Sequence, residues 1–230
     1  MDMISADQFV LIKHMMSLSF IAMTAAAVFL GLLQAQLERP QRDAVVLAGV
    51  AAAVAAYHQF LIASSWDTAF VLITGELTDT GYGFDEALRL AGRILTLPLS
   101  VIALLVVLRL PPEIAARKLP ALGGSAFLAT LLSYLGAMTS DPSIGATLIL
   151  LATLPLALIG YELSTGFKDA RAARWTIVGS AALSHLLLLG SLLGISGAAP
   201  VALGSITDLF GTAGAAVMIY LFASRATQTD

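Results

Sequence analysis

Residues 89–108 read RLAGRILTLPLSVIALLVVL, in which two arginines four positions apart precede an unbroken run of uncharged, mostly apolar residues. A helix needs about 20 mostly apolar residues to cross the hydrocarbon core of a bilayer. The run is long enough for one crossing when the preceding turn is added. The stretch therefore predicts a transmembrane helix that begins near residue 85 and carries two positive charges close to one end.

The composition of the whole chain agrees with a membrane protein. Of its 230 residues, 58% are hydrophobic and 12% charged, with a mean hydropathy of +0.90, whereas ordinary soluble domains carry roughly 25% charged residues. The net charge of −3 provides no basic field and argues against a nucleic-acid partner. The sequence has no cysteine, which excludes a disulfide framework, a cysteine-ligated zinc and a thiol nucleophile.

Six further stretches are apolar enough to cross a membrane. The seven predicted helices cover residues 9–35, 44–63, 85–109, 119–139, 143–165, 174–194 and 200–223. Because the apolar runs are continuous and the links between most of them are short, neighbouring helices should be antiparallel. The sequence predicts an all-α fold, a seven-transmembrane-helix bundle that forms one membrane domain over residues 1–230.

Basic residues indicate the orientation of the bundle. Nine of the twelve lie in three links and the C-terminal tail: Arg39, Arg42, Arg109, Arg117, Lys118, Lys168, Arg171, Arg174 and Arg225. Short loops rich in lysine and arginine stay in the cytoplasm. We therefore expect the N-terminus outside and the C-terminus in the cytoplasm.

The longest link, residues 64–84, joins the second and third predicted helices on the outer side. Its residues 78–83 have the composition of a turn and follow the β-prone stretch 70–73. A short β-hairpin or a folded loop is expected there.

Charged and polar side chains inside the predicted spans are the candidate site residues. Asp208 lies in the seventh helix, Arg89 and Arg93 share one face of the third, and His58 lies in the second. A charge at the centre of a membrane-spanning helix costs about 2.5–3.5 kcal/mol. These residues form either a structural ion-pair cluster or a ligand or ion site. For His58 the alternative is a hydrogen-bonded core histidine, and for His185 a structural or lipid-interface role is expected.

Motifs for other chemistry are absent from the sequence. It contains no phosphate-binding P-loop, no H-E-x-x-H and no G-x-S-x-G. Its three histidines are scattered over three predicted helices and make a poor metal site. We therefore expect neither an enzyme, with catalytic residues, nor a metal centre.

The third predicted helix resembles that of the microbial rhodopsins. The family pattern R-Y-x-D-W-x-x-T-x-P-L falls on residues 89–99, RLAGRILTLPL, and His58 after Tyr57 is similar to the helix-2 histidine of the proteorhodopsin–xanthorhodopsin branch. The sequences at 133–136 and 161–163 resemble the fourth and fifth helices of that branch. The resemblance covers nearly the whole chain. It implies a seven-helix bundle of microbial-rhodopsin type in a bacterial inner membrane.

The residues that carry the family's chemistry differ in this chain. The resemblance places Thr212 at the position of the lysine that forms the retinal Schiff base, and Gly92 at the position of the proton-acceptor aspartate. Arg93 replaces the tryptophan that packs against the polyene, and Ala103 replaces the proton-donor carboxylate. A covalent bond to retinal requires an amine. We therefore expect an opsin-like protein with no covalently bound cofactor and no proton pumping, in which Arg93 pairs with Asp208.

Three functions remain open at this stage. The first is a non-catalytic scaffold or accessory subunit of a membrane complex, with a partner protein or a second copy of the chain in the bilayer. The second is a non-covalent binder of a carotenoid, retinal or lipid that acts as sensor or carrier. The third is transport along a polar path through the cluster, which the absence of the pump carboxylates disfavours.

Overall fold

Seven helices among the described residues are long and apolar enough to cross a membrane. The structure is a computed structural model that describes residues 5–73, 76–85, 87–167, 169–195 and 198–226. The first six crossings are formed by α1 (Ala6–Leu33), α2 (Gln41–Ala69), α3 (Ala87–Val107), α4 (Pro112–Met138), α5 (Pro142–Thr165) and α6 (Arg171–Leu192). The prediction of a helical membrane bundle with seven crossings is confirmed.

The seventh crossing changes its helical form in the middle. It begins as α7 (Ala198–Asp208), continues as a π-helical segment (Leu209–Gly214) and ends as α8 (Ala215–Ala226). Short π-helical segments inside α-helices are frequent at functional sites. Here the segment starts directly after the only acidic residue of the crossing.

Two predicted helix ends differ from the structure by six or seven residues, and the other ends differ by at most three. The second helix continues to Ala69 rather than residue 63, because Trp66 is completely buried and packs against Phe9 and Phe70. The fourth begins at Pro112 rather than residue 119, since proline is well tolerated in a first helical turn. The charges that were assigned to a loop therefore lie on the first turns of α4.

A two-stranded antiparallel hairpin follows α2. Its strands are β1 (Phe70–Ile73) and β2 (Glu76–Asp79), with Phe70 opposite Asp79. The hairpin agrees with the sequence analysis, but residues 78–83 are not its turn. The strands are connected through 74–75, which lie outside the described residues.

The hairpin marks one face of the bundle, which we call the hairpin end; the face at which α3 and α5 finish is the opposite end. Seven crossings place the two ends of the chain on opposite faces. Which face is cytoplasmic stays a prediction, and Lys168, one of the residues on which it depends, is outside the described residues.

Apolar packing closes both ends of the bundle around a polar middle. The larger core cluster fills the opposite half and includes Leu104, Leu105 and Ile219, all at most 2% exposed. A smaller cluster around Trp66 lies at the hairpin end. The charged side chains of α3 and α7 lie between these two clusters.

Candidate functional site

The centre of the candidate site is a carboxylate shared by two guanidinium groups. Nε of Arg93 donates a hydrogen bond of 2.9 Å to Oδ1 of Asp208, and Nη2 of the same arginine donates to the same oxygen. Nε of Arg89 lies 3.0 Å from Oδ2. The side chains of Arg89, Arg93 and Asp208 are 10%, 16% and 12% exposed. The four-residue spacing of the arginines places both on the face of α3 towards α7.

Polar residues of α1, α2 and α7 extend this cluster. Nη2 of Arg89 donates hydrogen bonds of 3.3 Å to the carbonyl of Val201 and to the hydroxyl of Ser205. The buried Ser205 also accepts from Gln59 of α2 at 3.4 Å, and its carbonyl accepts from Ser19 of α1 at 3.3 Å. The network therefore connects α1, α2, α3 and α7.

Gly204 is required for this arrangement. A Cβ atom at that position would lie 1.9 Å from Nη1 of Arg89. Sequence analysis identified neither Gly204 nor Ser205 as part of the site. The available signal was a glycine–serine pair about one helical turn before the aspartate, which is too common in membrane helices to be specific.

His58 lies beside the cluster without forming an ion pair in the described contacts. Its Nδ1 is 3.0 Å from the carbonyl of Val54 in its own helix, and its ring makes an edge contact with Tyr57. It borders a small cavity of about 20 Å³ together with Gly92 and Asp208. The structure thus brings Arg89, Arg93 and Asp208 into contact and leaves His58 at their edge.

Gly92 provides the space that His58 occupies. A Cβ atom at Gly92 would lie 2.8 Å from Cγ and 2.9 Å from Cβ of His58. Because Cβ of a histidine is fixed by its backbone, this clash cannot be relieved by rotating the ring. A larger residue at position 92 would require α2 and α3 to move apart.

A central cavity of about 60 Å³ lies beside Arg93 and Asp208 and is lined by hydroxyl groups. Thr96, Ser100, Ser133 and Thr212 line it, and all four are at most 7% exposed. In the part of the chain that the structure describes, no protein group bonds to these four hydroxyls. Such buried hydroxyls are normally satisfied by water or a ligand, and the volume is sufficient for a few water molecules. The sequence signal was present, as serines and threonines within apolar spans, but their convergence was not foreseen.

A larger cavity of about 520 Å³ adjoins the central one at the hairpin end. Both are lined by Leu90, Arg93, Ser184 and Leu188. Most of the remaining wall comes from apolar residues of α4, α6 and α7. Asp208 lines the central cavity but not the larger one.

The other residues considered from sequence have partners within the fold. His185 is buried, with its Nε2 2.9 Å from the hydroxyl of Thr153 on α5. Glu162, near the end of α5, forms an ion pair with Lys118 of α4. These contacts hold neighbouring helices together, and His185 also lines the central cavity beside Arg93 and Asp208.

Comparison with known proteins identifies the fold. No family model matches the sequence, and no curated protein matches it. Xanthorhodopsin, described as a light-driven ion pump with dual chromophore, is 25% identical, with a TM-score of 0.89, and the alignment covers 98% of this chain and 97% of that one.

Two further solved structures show the same likeness. A thermophilic rhodopsin is 24% identical over 98% of this chain and 97% of that one, with a TM-score of 0.90. A blue light-absorbing proteorhodopsin from Med12 is 17% identical over 94% and 98%, with a TM-score of 0.72. The chain is a multi-pass integral membrane protein with the microbial rhodopsin fold.

Proposed function

We propose that this protein forms no retinal Schiff base, pumps no protons and acts as a non-catalytic scaffold or accessory subunit of a membrane complex. The proposal depends above all on the pairing of Asp208 with Arg89 and Arg93. In the rhodopsin pattern an aspartate at this position is a counterion to a cation on its own helix. Here arginines from α3 provide the cation instead.

The lysines of the chain support the absence of a Schiff base. The sequence has three, Lys13, Lys118 and Lys168, and the seventh crossing, Ala199–Ala226, has none. Thr212, four residues after Asp208, has a hydroxyl that cannot condense with an aldehyde to an imine. Lys13 and Lys118 are paired with Asp67 and Glu162.

The residues along α3 argue against proton pumping. Gly92 and Ala103 stand where the family pattern has proton-accepting and proton-donating carboxylates, and neither side chain can bind a proton. Beyond the central cavity, the opposite half of the bundle is filled by the apolar cluster that includes Leu104 and Leu105. The described residues of this cluster are all apolar, and none of them offers a carboxylate or an imidazole that could bind a proton.

The faces of α5 and α6 are the surface we propose for a partner. The buried residues of α6 are Ala173, Arg174, Ile177 and His185, and part of its remaining surface faces outwards. Leucines that are at least 40% exposed include Leu154 on α5 and Leu183 and Leu186 on α6. In a bilayer such a face packs equally well against lipid or another transmembrane helix.

Purification in mild detergent from the native membrane tests this proposal. We expect no visible absorption before or after addition of all-trans-retinal, and the same membrane proteins recovered in repeated preparations by mass spectrometry. A retinal adduct that survives denaturation would contradict the absence of a Schiff base. Repeated recovery of the chain alone would contradict the scaffold role.

A non-covalent binder of a carotenoid, retinal or lipid, acting as sensor or carrier, is the second candidate. It is favoured by the likeness to a pump described as having a dual chromophore and by the cavity of about 520 Å³, a volume typical of small-molecule sites. Solvent extraction of the purified protein separates the two candidates. A stoichiometric extracted pigment or lipid favours the binder, and its absence favours the scaffold.

A further inference from the structure

We propose that the cavity at the hairpin end binds an organic monocarboxylate, with its carboxylate at Arg93 and its hydrocarbon chain against the apolar wall. The scaffold role is not required for this site, because a partner on the outer surface and a ligand inside the bundle do not compete. The inference names a ligand class for the second candidate function, the non-covalent binder. A failure of the carboxylate site can be recognised separately from a failure of the scaffold role.

The first observation is an available donor on Arg93. Its Nε and Nη2 both bond to Oδ1 of Asp208. No described contact reaches its Nη1, which carries two further N–H donors. The residue lines the cavity of about 520 Å³, the central cavity and the small cavity beside His58. An acceptor that enters from the hairpin end can therefore bond to Nη1 without breaking the pair with Asp208.

The second observation is the distribution of charge around the larger cavity. Among the described residues that line it, Arg89 and Arg93 are basic and Asp85 is acidic. Asp85 is exposed, two residues before the start of α3, and its Oδ1 accepts a hydrogen bond of 3.0 Å from the backbone N–H of Ala87. Because Asp208 lies behind the guanidinium groups and outside the lining, the deep part of the cavity presents positive charge.

The third observation is the apolar wall of the cavity, which favours an organic anion over an inorganic one as the ligand. Leu187, Leu188, Leu192, Ile149, Met138 and Val201 contribute to it. A chloride ion or acetate would leave most of this surface in contact with water. A chain of several methylene groups would cover it, at roughly 0.8 kcal/mol for each methylene buried. A charged end and an apolar body match an amphipathic carboxylate.

Three probe compounds separate the parts of this proposal. Sodium hexanoate has both charge and chain, 1-hexanol has only the chain, and sodium acetate has only the charge. Each is titrated into the purified full chain in mild detergent at constant ionic strength, and the midpoint of thermal unfolding (Tm) and the heat of binding are measured. We expect a saturable rise in Tm with hexanoate and none with acetate, while any effect of hexanol is not saturable.

Arg93→Gln is the decisive variant, because Asp208 retains its contact with Arg89 when Arg93 is lost. It should bind hexanoate roughly tenfold to a hundredfold more weakly, the loss expected for a charged hydrogen bond. Lys13→Gln is the matched control, since it removes a cation at the same end whose pair with Asp67 is exposed. Leu187→Trp, which reduces the cavity and keeps every charge, should also weaken binding.

Several results would overturn the proposal. The proposal is wrong if hexanoate gives no saturable response, if acetate or hexanol gives an equal response, or if Arg93→Gln binds hexanoate with unchanged affinity. If Arg93→Gln does not fold, Leu187→Trp decides, and unchanged hexanoate affinity in that variant would also overturn it. A partner protein found by mass spectrometry has no bearing on these results, so the scaffold role and the carboxylate site fail independently.

Discussion

Arg93 on α3 donates a hydrogen bond of 2.9 Å from its Nε to Oδ1 of Asp208 on α7, and this contact joins two helices within the membrane. The second oxygen of the same carboxylate lies 3.0 Å from Nε of Arg89. Asp208 is therefore the shared partner of two cations. Its loss affects both, whereas the loss of either arginine leaves one pair in place.

Asp208→Asn should lower the free energy of unfolding by about 3–5 kcal/mol, because two partly buried guanidinium groups lose their counterion. Arg93→Ala should lower it by less. A loss of about 3–5 kcal/mol in Arg93→Ala would require Asp208 to be left unpaired. Asp208 is not left unpaired in this variant, because Arg89 remains beside its Oδ2.

Unfolding of the purified variants by titration with sodium dodecyl sulfate measures whether Asp208→Asn loses more stability than Arg93→Ala. Asp67→Asn is the control, since it breaks a pair with Lys13 in which both side chains are nearly half exposed, at 45% and 48%. Exposed pairs contribute only about 0–1 kcal/mol. An Asp208→Asn protein as stable as the Asp67→Asn control would contradict the prediction.

Gly92→Ala should destabilise the bundle by about 1–3 kcal/mol, the range for an overpacked core. The added Cβ would lie 2.8 Å from Cγ of His58, and either α2 or α3 has to shift. Gly124→Ala on α4 is the matched control, because no atom lies within 4 Å of a Cβ at that position. The same unfolding titration should show the control unchanged or slightly more stable, since alanine favours a helix over glycine. Equal effects at the two positions would contradict the role given to His58.

The course of the helices could be predicted from the sequence because hydropathy and length determine it. Continuous apolar runs gave seven crossings, and the structure has seven in its described residues. The misplaced ends have a physical cause. Trp66 extends α2 because tertiary packing buries an indole that stands in a polar sequence, and no local pattern reports such packing.

The candidate site was predictable only where charge marks a residue. Arg89, Arg93 and Asp208 stand out because charges are rare inside membrane helices. Gly204 and Ser205 do not, since their importance depends on where the side chain of Arg89 lies. The four hydroxyls of the central cavity come from α3, α4 and the seventh crossing, and each of these serines and threonines is unremarkable in its own helix.

Thr153→Val should lower the free energy of unfolding by about 0.5–1.5 kcal/mol, with values near 0.6 typical between membrane helices. The substitution removes the hydroxyl 2.9 Å from Nε2 of the buried His185 and keeps the shape of the side chain. Thr147→Val on the same helix is the control, because the hydroxyl of Thr147 bonds only to the carbonyl of Ser143, one turn earlier. A loss no greater in Thr153→Val than in Thr147→Val would show that the contact between α5 and α6 contributes nothing.

Asp141, outside the membrane-spanning segment, should make the start of α5 sensitive to acid. Its Oδ1 accepts hydrogen bonds from the hydroxyl and backbone N–H of Ser143 at 2.7 and 2.9 Å and from Ile144 at 3.3 Å. The bond from the Ser143 hydroxyl, followed by the two backbone bonds, lowers the pKa of this carboxyl below its usual 3.8. A group whose pKa is lowered on folding stabilises the protein above its unfolded pKa and loses that effect as the pH falls through the folded pKa.

Comparison with Asp141→Asn isolates this contribution, because asparagine caps a helix about as well without titrating. The difference in Tm between the wild type and Asp141→Asn should be constant near neutral pH. It should move against the wild type as the pH falls below 3.8. Asp141→Ala should be less stable than both near neutral pH. A difference that does not change with pH would mean that the carboxylate is not the cap in solution.

Thr212→Lys alone should not create a visible pigment when all-trans-retinal is added to the purified protein. The new amine would enter a cavity of about 60 Å³ that is already bordered by Arg93, and Asp208 would have to neutralise three cations. Arg93→Ala combined with Thr212→Lys enlarges this cavity and leaves Asp208 with one arginine and the new lysine. Visible absorption should develop in the double variant and be absent in the single one. A coloured Thr212→Lys protein would show that Arg93 does not keep retinal out of this cavity.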